Sequence, residues 1–120
     1  RRHLEDLAQP LFGTGVRFDV DGGLRVASRT LDGTTVSFDE LSMGTREQIG
    51  IIARLACAML VDEHDGVPVI IDDALGHSDP DRTAKMNRVL TRAGENAQVI
   101  VLTCSPERYR DVESAQTVAL

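Results

Sequence analysis

The chain has a single lysine, Lys85, in the context Thr83-Ala84-Lys85-Met86. That scarcity excludes a phosphate loop of the form G-x-x-x-x-G-K-[ST], which needs a lysine directly after a glycine. Cysteine is nearly as rare. Cys57 and Cys104 form neither a metal-ligand spacing nor a disulfide framework, and their apolar settings predict buried thiols in a reducing cytoplasm. No apolar run approaches the ~20 residues that span a bilayer. The opening Arg1-Arg2-His3-Leu4-Glu5 carries no initiating Met and no signal peptide, which suggests a fragment of a longer protein. Positive charge is also in deficit. A net charge of −6 argues against a free-standing nucleic-acid grip, although an intact protein could contact DNA through other segments.

With 120 residues and 42% hydrophobic content, the chain is one domain or a large piece of one. Leu4, Leu7, Ala8 and Leu11 predict a short amphipathic helix over residues 3–11. Alternation from Val16 to Val20, a turn at Asp21-Gly22-Gly23 and a return from Leu24 to Ala27 read as a hairpin. A second turn at Leu31-Asp32-Gly33 leads to a third strand over 34–38, giving a small antiparallel sheet. The period then changes. Ile49, Ile52, Leu55, Ala56, Met59 and Leu60 predict a long helix over 46–63, broken at Asp65-Gly66. The apolar run Val67–Ile71 reads as a strand buried on both faces. Asp79-Pro80 opens another helix to Gly94, 99–102 is a second buried strand, 106–110 a helical turn and 116–120 a last strand. Helix, strand, helix, strand is the order of a parallel α/β layer.

Two motifs carry chemistry. Ser42-Met43-Gly44 stands at the start of the long helix, where unpaired N–H groups favour an anion. A serine hydroxyl can donate to a phosphate oxygen there, and glycine lets the backbone approach. Ser42 or Thr45 equally serves as a helix cap, the better reading if the motif stood alone. The second motif, Val69-Ile70-Ile71-Asp72-Asp73, places two carboxylates at the C-terminal end of a strand, the ligand edge of an open α/β sheet. The first can hold Mg²⁺ and the second can orient or deprotonate an attacking water. Such a pair also occurs in response-regulator receiver domains. Those place it after their first strand and carry a lysine after a late one, whereas Thr103-Cys104-Ser105 follows here.

Three other patterns carry less. Gly13-Thr14-Gly15 lacks a third glycine and precedes a strand. Asp62-Glu63-His64-Asp65 reads as a solvated helix end. Arg108-Tyr109-Arg110 is a short basic turn that gives weak grounds for base stacking.

Taken together, residues 41–48, 68–73, 76–79 and 98–104 resemble the C-terminal lobe of ABC-type ATPase heads. The likeness is greatest to the SMC-like coiled-coil ATPases of DNA repair and chromosome maintenance, particularly the bacterial YhaN-type proteins. Leu41-Ser42-Met43-Gly44-Thr45-Arg46-Glu47-Gln48 looks like their signature motif, Ile71-Asp72-Asp73 like Walker B, and Gly76-His77-Ser78-Asp79 like the D-loop. Gln98 to Cys104 looks like the strand before the switch histidine.

The resemblance implies the C-terminal half of a P-loop NTPase: a small antiparallel sheet followed by a parallel α/β layer. Residues 1–12 would be a lead-in helix ending a coiled-coil arm, and 13–120 the lobe of the head. It implies ATP and Mg²⁺ as cofactors, with Asp72 on the metal and Asp73 catalytic. Ser42, Met43, Gly44, Thr45 and Gln48 would meet the nucleotide of a second copy, with His77, Ser78 and Asp79 in the D-loop. The implied partners are an N-terminal lobe carrying Walker A, a second head in a homodimer, and DNA for the intact cytoplasmic protein, with no membrane. Alone, the chain would be inactive for want of Walker A. Two departures stand out. Asp73 occupies a position where most such heads have Glu, and Cys104 or Ser105 replaces the histidine, implying slow turnover and a clamping use of ATP. The competing readings are half of an ABC transporter's nucleotide-binding domain, and a non-catalytic interaction module of the same fold.

Overall fold

A computed structural model describes residues 2–22, 25–60, 68–76 and 78–119. Helix α1 (Arg2–Phe12) buries Leu4, Leu7, Ala8 and Leu11, the stripe set by its i, i+3, i+4, i+7 spacing. Pro10 cannot donate to the carbonyl of Asp6. That carbonyl is instead reached by the Arg92 guanidinium at 2.8 Å, which ties α1 to a later helix. Gly13 ends α1 with a left-handed φ of 94° and an N–H donated to the Gln9 carbonyl.

Strands β1 (Arg17–Val20), β2 (Val26–Leu31) and β3 (Thr34–Ser37) form an antiparallel sheet in the order β1-β2-β3. The return strand of the first hairpin starts two residues later than the alternation suggests and runs through Leu31. Asp32 and Gly33 form the two-residue turn into β3, both with positive φ, as a tight hairpin requires. Phe18 on β1 is buried edge-on to Phe12 of α1, and the Arg29 guanidinium covers the same Phe12 ring at 5.2 Å. The Phe18 N–H donates to Glu5 Oε2, fastening the sheet to α1.

Helix α2 (Met43–Leu60) begins three residues before the expected start at Arg46, because Ser42 caps it. The break at Asp65-Gly66 and the Asp62–Asp65 cluster lie outside the described residues. Strand β4 (Val69–Asp72) pairs in parallel with β5 (Val99–Leu102), with Val69 opposite Val99 and Asp72 opposite Leu102. Between them runs α3 (Pro80–Gly94), capped by the Asp79 carboxylate on the Arg82 N–H at 2.8 Å. One core joins these layers: Leu7 from α1, Ile49, Ile52 and Leu55 from α2, Met86 and Val89 from α3, and Val69 and Ile71 from β4. Each such side chain contributes about 1.5–3 kcal/mol on burial.

Four expectations are corrected. The β4–β5 pair is buried on one face only, since Ile70, Ile100 and Leu102 are exposed at 49%, 37% and 47%. Cys57 is exposed because it falls on the solvent side of α2, away from the Leu55–Ala56 stripe. Cys104 is exposed because it lies past the last paired residue of β5. Residues 116–119 form no strand and pair with none of the described residues; Val118 is 77% exposed. No described helix is long and apolar enough to cross a membrane.

Candidate functional site

The turn from Leu41 into α2 and the loop from Asp73 to Asp79 are held together from within. Ser42 accepts the Thr45 N–H at 3.2 Å and donates its own hydroxyl proton to Thr45 Oγ1 at 2.8 Å, the geometry of a helix cap. One turn on, Glu47 Oε1 accepts the Leu75 N–H at 2.9 Å, and Gln48 Nε2 donates to Ser78 Oγ. From α3, Arg82 Nη1 donates to Thr45 Oγ1 at 2.6 Å and to Gln48 Oε1 at 3.3 Å. Thr45 and Gln48 are buried, so these bonds form where water competes little. A second cation lies near: burial lowers the Arg29 guanidinium from its ordinary value, and the charge of Arg82 adds to that shift.

The carboxylate loop starts where β4 ends. Asp73 donates its N–H to the Leu102 carbonyl at 2.8 Å, continuing the parallel ladder by one residue. Its backbone then turns left-handed, φ 45°, and Leu75 does the same at 70° while its side chain is buried. Asp tolerates this region through its short polar side chain, whereas Leu there is strained. Such strain persists only where neighbours over-determine the backbone. Here Glu47 holds the Leu75 N–H, and the Tyr109 hydroxyl donates to the Ala74 carbonyl at 2.9 Å. Burial raises the Tyr109 phenol above its ordinary value; the bond to Ala74 and the charge of Arg108 oppose that shift, and the charges of Asp73 and Glu47 add to it.

The sequence-predicted residues divide by exposure. Ser42, Met43, Asp72 and Asp73 are at the surface, with Met43 59% exposed. Gly44 is half-buried, and Thr45 and Gln48 face inward. Ser78 joins the network, Asp79 caps α3, and His77 lies outside the described residues. Cys104 is exposed and Ser105 half-buried, its hydroxyl making no cap bond to the 3-10 turn Pro106–Tyr109. Asp72 makes no ion pair or side-chain hydrogen bond among the described residues, which leaves its carboxylate available to a cation. No group of three or more His, Cys, Asp or Glu gathers among them. A magnesium ion carried by a nucleotide needs only one or two carboxylates beside phosphates and water, so Asp72 fits that donor set.

Sequence reasoning missed Arg82, Arg108 and Tyr109 as parts of this region. Arg82 follows the Asp79 cap by three residues, but its long reach to α2 leaves no local pattern. Arg108 and Tyr109 were legible only as a basic turn, and they fold back onto the carboxylate loop.

No protein-family model matches the chain. It is 52% identical over 120 residues to uncharacterized protein Rv1278 of Mycobacterium tuberculosis (strain H37Rv), covering all of this chain and 14% of that protein. The same identity and coverage hold for uncharacterized protein Mb1309 of Mycobacterium bovis. A more distant similarity, 30% over 103 residues, links it to uncharacterized protein YhaN of Bacillus subtilis (strain 168), covering 85% of this chain and 10% of that protein. The chain thus spans 14% or less of the length of these relatives.

Proposed function

We propose that the chain is the C-terminal lobe of an SMC-like ATPase head, acting in ATP-driven pairing of two heads within a longer protein that works on DNA. The observation that carries this reading is the bonding of the Ser42–Gln48 turn to the Asp73–Asp79 loop through Glu47, Gln48 and Arg82. A turn shaped for a phosphate and a carboxylate pair shaped for a metal and water are thereby one mechanical unit. The distant similarity to YhaN supports the same reading.

In this mechanism Ser42 and the backbone at Gly44 meet the terminal phosphate of a nucleotide held by the opposing copy. The serine hydroxyl proton must first leave Thr45 Oγ1, while the oxygen can go on accepting the Thr45 N–H, so phosphate binding competes with that side-chain bond and not with the cap. Asp72 would hold Mg²⁺, which supplies charge neutralisation at the phosphate oxygens. Asp73 orients the attacking water. Its oxygen bonds to the γ-phosphorus as the bond to the β–γ bridging oxygen breaks, that oxygen leaving on ADP. The water proton passes to Asp73 and from there to solvent or released phosphate. The phosphate-gripping lysine comes from the lobe this chain lacks.

The test is hydrolysis and association by the intact gene product. ATP with Mg²⁺ is expected to convert it to a paired form on sizing chromatography and to be hydrolysed slowly. Asp72→Ala is expected to abolish hydrolysis. An intact protein that binds no ATP would overturn the reading.

A further inference from the structure

After β5 the chain turns back over the carboxylate loop and presents one charged side chain to it. The buried Asn87 amide donates both to the Thr83 carbonyl at 2.6 Å and to the Arg108 carbonyl at 2.8 Å. The next residue, Tyr109, donates its hydroxyl to the Ala74 carbonyl. Arg108 itself closes the 3-10 turn by donating its N–H to the Ser105 carbonyl at 3.1 Å. Held at three points, Arg108 places Nη1 at 3.9 Å from Asp73 Oδ1. The same nitrogen would lie 3.7 Å from a Cβ added at Gly76.

This arrangement is poorly explained as a stabilising ion pair. The side chains are 36% and 57% exposed and the separation is long, the regime in which surface pairs contribute little. Asp73 is the only hydrogen-bond or ion-pair partner of the Arg108 guanidinium among the described residues, so most of its N–H fork is unused. A planar fork of free donors beside a carboxylate at a strand's ligand edge suits an incoming oxyanion. The residues expected at this place, Cys104 and Ser105, offer only an exposed thiol and a single hydroxyl, neither of them a charged planar fork.

We propose that Arg108 is the positioning residue for Asp73 and the donor to the terminal phosphate of the bound nucleoside triphosphate. The inference rests on the ATPase-head reading. Before nucleotide binds, the guanidinium stands beside the Asp73 carboxylate at ion-pair distance, and it closes on that carboxylate when the γ-phosphate arrives. With nucleotide present, the remaining N–H groups meet a γ-phosphate oxygen, where charge develops as the phosphoryl group transfers. Tyr109 and Asn87 keep the arginine in place without touching substrate.

The experiment compares intact wild-type protein with R108A, R108K, R108Q and D73N in steady-state ATP hydrolysis. ADP binding and ATP-dependent pairing are measured alongside. R108A is expected to lower kcat by about 100-fold, the usual cost of removing one donor to the transition state. ADP affinity should be unchanged, because ADP lacks the phosphate that Arg108 meets, while pairing by ATP should weaken no more than the loss of one ground-state contact allows. R108K should recover part of the rate and R108Q none, and added guanidinium ion should partly rescue R108A. Combining R108A with D73N should give the rate of D73N alone, because the two residues act as one unit. R108Q, close in size to arginine, supplies the reading if R108A fails to fold. Wild-type kcat in R108A and R108Q beside a depressed D73N overturns the proposal while leaving the ATPase head intact. Absence of ATP binding by the wild-type protein overturns both.

Discussion

The Gln48 side-chain amide donates to Ser78 Oγ at 2.5 Å, although the two residues are thirty positions apart in the chain. Gln48 is fully buried, and its carbonyl oxygen is held by Arg82, so both ends of one amide are used to join α2 to the loop after β4. Breaking this link removes a partner from half-buried Ser78 and leaves the Arg82 guanidinium, among the described residues, with only its bond to Thr45. Gln48→Leu is therefore expected to cost about 1–3 kcal/mol of stability, more than the bond itself contributes. Urea denaturation followed by circular dichroism measures it. A change below a few tenths of a kcal/mol would show that water replaces the amide.

Ser42 has one observed role, the helix cap, and one proposed role at the head interface, and mutation separates them. Ser42→Ala removes the cap and is expected to cost about 0.5–2 kcal/mol. Ser42→Arg is expected to abolish ATP-dependent pairing of the intact protein while leaving it folded, since the residue is exposed. Sizing chromatography with and without ATP reads the second effect, and undiminished pairing would remove Ser42 from the interface.

For Asp73 the useful change is to an isostere. Asp73→Asn keeps the left-handed backbone, which Asn also tolerates, and removes the charge proposed to orient water. Hydrolysis by the intact protein is expected to fall by at least about 100-fold, with the ATP-bound paired form accumulating. Normal turnover would reassign the base.

Tyr109 is the sole tyrosine, and the chain has no tryptophan, so its phenolate can be followed by ultraviolet absorbance without interference. Its folded pKa lies above the ordinary 10.0, chiefly through burial. The stabilisation tied to the protonated phenol is thus complete below about pH 10 and is lost as pH rises through the folded value. A titration midpoint above that of free tyrosine is expected, with Tyr109→Phe removing the alkaline loss. A midpoint at or below the free value would place the ring in solvent.

Much of the architecture was readable because periodicity reports local burial. The α1 stripe, the start of α3 at Asp79-Pro80 and the parallel sense of the β4–β5 pair all follow from spacing, caps and element order. What failed were statements about the far side of an element. Ile70 and Ile100 are as apolar as Ile71, so composition could not show that one face of β4–β5 is open to solvent. Cys57 sits among alanines and a leucine, yet helix rotation turns it outward. The site was legible as two motifs. Their connection through Glu47, Gln48 and Arg82 was not, because side-chain reach across thirty residues has no signature in spacing.

The left-handed bend at residue 73 also bears on which acid belongs there. That region of backbone space accepts aspartate readily and resists longer side chains, which cannot hydrogen-bond their own peptide groups as easily. Installing glutamate to extend the reach toward water would set chemistry against conformation, at a penalty of about 1 kcal/mol or more. The main chain itself thus favours the shorter acid at this position, and a longer one would first require the bend to be reshaped.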